Sequence, residues 1–176
     1  MKKIIYYVAT SLDGYIAGSN EDISLFVGEG NGVDYYLADL QNFKTVIMGR
    51  KTYEFGYKFG MKPGDLAYPH MKHYIFSDNL KFESASENIE VASLSVEKIN
   101  EVKEESETDV YLCGGGQLAG WMLDHGLIDE LKLKINPIIL GEGVPVFGSS
   151  KRSIKMELKE QLSFDHGLIM NTYLIN

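Results

Sequence analysis

Apolar runs of strand length, each stopping at a glycine or a polar residue and followed by helix-compatible sequence, constrain this chain most. Ile4-Ile5-Tyr6-Tyr7-Val8-Ala9 and Asp109-Val110-Tyr111-Leu112-Cys113 are dense in β-branched and aromatic residues, without polar alternation. They predict strands buried on both faces, as in a largely parallel sheet. Val46-Ile47-Met48 and Lys72-His73-Tyr74-Ile75-Phe76-Ser77 predict two further strands, and Ile89–Ala92 a short one. Between them, Asp34 is placed to cap a helix through Tyr35, Tyr36, Leu37, Leu40 and Phe43. Val96–Glu105 and Gln117–His125 predict two more helices, the second stopped by Gly126. Beyond Asp129 the pattern changes. Leu131, Leu133 and Ile135 alternate with Lys132, Lys134 and Asn136, the mark of a half-buried strand. Met156–Lys159 and Leu168–Ile175 predict two final strands joined through Asp165-His166-Gly167. The expectation is one three-layer α/β domain over residues 1–176, its mixed, mostly parallel central sheet closed by antiparallel C-terminal strands.

Three predicted strand ends carry ligand chemistry. Val46-Ile47-Met48 stops at Gly49, where the backbone can approach a ligand closely. A helix starting near Arg50 turns its free N–H groups and positive dipole end to the same spot. Arg50, Lys51 and the Thr52 hydroxyl complete a phosphate-type anion site, although the same residues also suit an ordinary strand-to-helix turn. The second end is Ser77, and the third is Gly114-Gly115-Gly116 before Gln117 and Leu118. Parallel strands place all three on one sheet edge, where open α/β sheets bind ligands.

The net charge of −8 argues against general nucleic-acid binding. Nothing reaches transmembrane length, and the single cysteine, Cys113, fits a reducing compartment, so a cytoplasmic protein without membrane partners is expected. His70, His73, His125 and His166 show no metal-ligand spacing, so no metal is expected. Neither G-x-G-x-x-G after the first strand nor a P-loop pattern occurs.

Four segments resemble the dihydrofolate-reductase-like superfamily, in the branch of the riboflavin-biosynthesis reductase domain: Ala9–Ala17 (ATSLDGYIA), Thr45–Tyr53 (TVIMGRKTY), Tyr111–Leu118 (YLCGGGQL) and Leu133–Phe147 (LKINPIILGEGVPVF). The resemblance implies a dihydrofolate-reductase-like fold and an NADPH-dependent reduction of a small heterocyclic or carbonyl substrate. It places Arg50 and Ser77 near the adenosine 2′-phosphate, and Gly49, Lys51 and Thr52 at the phosphates. Gly114, Gly115, Gly116, Gln117 and Leu118 fall under the pyrophosphate, with Gly114-Gly115 the candidate for a cis bond. Ala9 and Ile16 fall at the nicotinamide. It also implies a homodimer. Asp34, at the first long helix, is the nearest match to the family's catalytic acid, and Asp13 is the second candidate. A helix-cap role for Asp34 and a turn role for Asp13 remain open beside these. An NADPH-binding module without turnover and a true dihydrofolate reductase are the alternatives.

Overall fold

The computed structural model describes residues 2–175. Eight strands form the central sheet: β1 (Ile4–Thr10), β3 (Thr45–Gly49), β4 (Lys72–Phe76), β5 (Ile89–Ala92), β6 (Val110–Gly114), β7 (Glu130–Ile135), β9 (Met156–Ser163) and β10 (Ile169–Ile175). Their order is β5-β4-β3-β6-β1-β7-β10-β9. The pairings from β5 across to β7 are parallel, and β10 runs antiparallel to both β7 and β9. Helices α1 (Asn31–Leu40), α2 (Arg50–Phe55), α3 (Val96–Glu105) and α4 (Gly116–Asp124) cover the sheet.

Alternate residues of the buried runs supply two separate cores. Ile4, Tyr6, Ile47, Tyr74 and Leu112 pack with Ile99 and Val102 of α3 and with Leu118, Met122 and Leu123 of α4. Ile5, Tyr7, Val46, Met48, Ile75 and Tyr111 pack with Leu40 of α1 and Tyr53 of α2. Both faces of the central strands are therefore dry, which is why these runs lack alternation. His73 is fully buried there, with Nδ1 on the Met71 carbonyl and Nε2 accepting from the Tyr68 N–H. Burial pushes its pKa down to about 4, so it is a neutral packing residue.

Several expectations are corrected. Helix α1 starts at Asn31, and its cap position is Gly30 at φ +99°, not Asp34. The Gly30 carbonyl accepts from the N–H groups of Val33 and Asp34, both at 3.0 Å. Gly32 then faces the hairpin between β9 and β10, where a Cβ would stand 2.4 Å from Leu168 Cδ2. Strand β9 extends to Ser163, past the expected Lys159, because an exposed edge strand shows no apolar period. A two-stranded sheet of β2 (Tyr15–Ala17) and β8 (Val144–Pro145) was not legible, both partners being too short for any period. The lysine side of β7 is not solvated either: Lys134 is only 9% exposed. No helix of the described residues is long and apolar enough to cross a membrane.

Candidate functional site

The parallel registers bring the chemistry-bearing strand ends to one edge. Gly49 is level with Phe76, Met48 with Gly114, and Thr10 with Ile135. From β3 the chain turns into α2 on the Leu40 side of the sheet, and from β6 it turns into α4 on the Leu118 side. Adjacent strands that send their helices to opposite faces part at their carboxyl ends, and that is where open α/β sheets take ligands. The approach there is close: a Cβ on Gly49 would stand 4.0 Å from the Gly115 nitrogen, and one on Gly115 only 2.9 Å from Thr52 Oγ1.

The donors at this edge are largely uncommitted. Helix α4 starts after Gly115 and has no side-chain cap, nor has α2 after Gly49. By contrast, α3 is capped by Ser95 Oγ, which accepts from the Lys98 N–H at 3.1 Å. Among the described residues Arg50 has only an exposed pair with Glu54 at 3.8 Å, and Lys51 is exposed. Ser77 Oγ accepts from the N–H groups of Asn79 and Leu80 at 3.2 and 3.1 Å, leaving its own proton to donate outward. The Gly114-Gly115 peptide is cis.

Other expected cofactor residues have jobs in the fold. A Cβ on Gly116 would stand 2.2 Å from the Pro145 carbonyl oxygen, so that glycine is required for packing. The Leu118 side chain is buried in the core. Gln117 is exposed, and its Oε1 accepts from Ser149 Oγ at 3.1 Å. Ala9 and Ile16 are half-buried on the two strands joined by the turn at Asp13.

The acidic candidates do not meet at the strand ends. The two carboxylate oxygens of Asp13 accept from the N–H groups of Leu140 and Gly141, at 3.1 and 2.7 Å. The Ser11 hydroxyl, followed by those two N–H groups, holds its pKa down at about 2, so it is fully ionised at neutral pH and unsuited to donating a proton. Asp34 is exposed. It lies two residues from both Gly32 and Tyr36, which face the protein, and so about 200° around the helix from each. Both carboxylates thus stand in exposed settings, Asp13 engaged in its turn and Asp34 on the outer face of α1.

Two features were missed from sequence. Asn136, fully buried at the end of β7, accepts from the Val27 N–H at 2.9 Å and donates to the carbonyls of Thr10 and Lys134. It ties the long loop before α1 to the ends of β1 and β7; its place in the alternation was the only signal, and that pointed to solvent. The second is a chain of side-chain contacts from Tyr36 Oη to Tyr111 Oη (2.8 Å), on to Tyr68 Oη (3.4 Å) and then to Cys113 Sγ (3.5 Å). Burial pushes the Cys113 thiol up, so it is not a nucleophile at neutral pH.

Two cavities of about 340 and 560 Å³ lie at the opposite, amino-terminal edge of the sheet. The first is lined by Lys44, Thr45, Lys72 and Glu105, the second by Lys2, Lys103 and Asp109. Among the described residues no group of three His, Cys, Asp or Glu side chains is placed to hold a metal ion.

A family model described as the RibD C-terminal domain matches residues 2–170. The uncharacterized protein YwjB of Bacillus subtilis (strain 168) is 31% identical over 173 residues, covering 93% of this chain and 92% of YwjB. Among solved structures, a putative riboflavin biosynthesis protein from Shewanella sp. PV-4 superposes with a TM-score of 0.82 at 24% identity, over 99% of both chains. Dihydrofolate reductase from Enterococcus faecalis complexed with NADP(H) superposes with a TM-score of 0.70 at 18% identity, over 99% of this chain and 96% of that one. At these identities the two structures speak for the fold alone.

Proposed function

Because the chain belongs to the RibD C-terminal domain family, we propose that it is an NADPH-dependent reductase of a small heterocyclic or carbonyl substrate. The observation that carries this reading is the convergence of Gly49–Thr52, Ser77 and Gly114–Leu118 on one sheet edge. The residues fit the cofactor. Gly115 keeps its backbone bare and close beside Thr52 Oγ1, which an added Cβ would approach to 2.9 Å. The uncapped start of α4 offers N–H donors to a pyrophosphate. On this reading Arg50 and the Ser77 hydroxyl receive the 2′-phosphate, and Ala9 and Ile16 meet the nicotinamide end. When bound, NADPH supplies the hydride, while the chain supplies position and exclusion of water.

The unsuitability of Asp13 and Asp34 as acids keeps a second reading in play, an NADPH-binding module without turnover. One experiment separates the two. NADPH is expected to quench Trp121, on α4, and at about 100 times its Kd to add about 2.7 kcal/mol of stability. NADPH oxidation with a member of a panel of pterins, pyrimidines and aldehydes then marks the reductase, and binding without oxidation across the panel marks the module. Neither quenching nor a thermal shift at saturating NADPH rejects both.

A further inference from the structure

Three successive residues of β7 on the α1 side of the sheet are charged. Glu130 is buried and paired with both Lys3 and Lys159. Lys132 pairs with Asp39 of α1 at 2.7 Å. Lys134, nearest the carboxyl edge, has no ion pair and no hydrogen bond from its ammonium among the described residues, although it is 91% buried. Its exposure is 9%. Its Nζ lies 4.7 Å from the Tyr36 ring centroid, a contact that offsets only part of the lost hydration. No side-chain nitrogen or oxygen of the described residues is both sealed from solvent and without a partner, so the Lys134 ammonium opens onto accessible space. Lys134 is level with Ala9 on β1 and Met170 on β10, so that space adjoins the place assigned above to the nicotinamide end.

A largely buried side chain whose ammonium has no protein counter-ion and one open side is a site that the negative charge of a ligand can complete. We propose that Lys134 is the substrate anchor, and that the site takes a compact planar substrate carrying an anionic oxygen, which the ammonium receives. This rests on the reductase reading for its location and adds the charge of the substrate. Desolvation lowers the Lys134 pKa, which agrees with a site that the protein leaves uncompensated. The Tyr36 ring lies against the ammonium as a flat apolar face, and its hydroxyl begins the chain that runs through Tyr111 to Tyr68 and Cys113. The charged groups of neighbouring elements on this face are otherwise engaged or exposed. Asp39 is held by Lys132, and Glu160 of β9 stands in solvent.

The test titrates the protein, with and without NADPH, with benzoate and 2-naphthoate and with the corresponding neutral amides. Wild-type protein should bind each acid at least tenfold more tightly than its amide. Lys134→Met, close in volume and uncharged, should abolish that preference, and Lys134→Arg should keep it. Trp121 quenching by NADPH, read on the same samples, reports separately on the dinucleotide site and on folding. Equal affinity for acid and amide in the wild type, absent binding of both included, overturns the proposal, as does a preference that survives in Lys134→Met. Neither quenching nor a thermal shift with NADPH in the wild type, with the acid preference intact, strikes the reductase reading and leaves the anion site standing.

Discussion

Replacing Arg50 with alanine should weaken NADPH binding by about 1.5–3 kcal/mol, the scale of a charge-assisted hydrogen bond. NADH should be affected far less. The asymmetry follows from the assignment of Arg50 to the 2′-phosphate, the one group by which the two dinucleotides differ. In the protein alone Arg50 has little to lose: it makes one exposed pair with Glu54 at 3.8 Å, of a kind that adds little stability. A change in dinucleotide affinity with the melting temperature unmoved is therefore the expected pattern. Arg50→Lys should recover only part of the affinity, since an ammonium cannot offer the planar fork that fits a phosphate dianion. Parallel titrations of both cofactors against the three proteins check this. Equal losses for NADPH and NADH would remove Arg50 from the 2′-phosphate.

Gly116→Ala should be among the most damaging single-methyl changes in the molecule. The added Cβ would stand 2.2 Å from the Pro145 carbonyl oxygen and 3.1 Å from the Gly148 nitrogen, and both are backbone atoms. No rotamer change relieves such a clash, so either α4 or the 145–148 segment must shift. Overpacking of a well-filled interior costs typically 1–3 kcal/mol, and a clash between two backbones belongs at or above the top of that range. Gly120→Ala meets the Phe147 carbonyl at 2.2 Å and should behave alike. Gly28, whose added Cβ would meet nothing within 4 Å, is the control and should tolerate alanine. Denaturant unfolding of the three variants checks this, and a Gly116→Ala protein as stable as Gly28→Ala would contradict the packing described for α4.

The sheet was legible because its central strands are buried on both faces and so appear as unbroken apolar runs. The helices α3 and α4 were legible from their spacing, and the strand ends at Gly49, Ser77 and Gly114 from their residue types. What failed has a local cause in each case. Asp34 looked like a helix cap because capping residues are recognised by type, whereas Gly30 holds that position at a positive φ with no side chain to announce it. Lys134 looked solvated because alternation with leucine implies an open face, and nothing in β7 itself announces that α1 lies over it. Asn136 was hidden for the same reason. Gly116 was noticed as a glycine that admits a ligand, while its tightest neighbour is the chain 29 residues further on, at Pro145. Local pattern thus found the strand ends that share one edge, and tertiary contacts decided which residues there are left uncommitted.

The central claim is that the carboxyl ends of β3, β4 and β6 together grip a phosphorylated dinucleotide. Its most direct test is a crystal structure of the protein soaked with NADPH. The account predicts the pyrophosphate against Thr52 and Gly115 at the start of α4, with the 2′-phosphate against Arg50 and Ser77. A dinucleotide seated instead at the opposite edge, among Lys44, His70 and Lys72 where the 340 Å³ cavity lies, would contradict it.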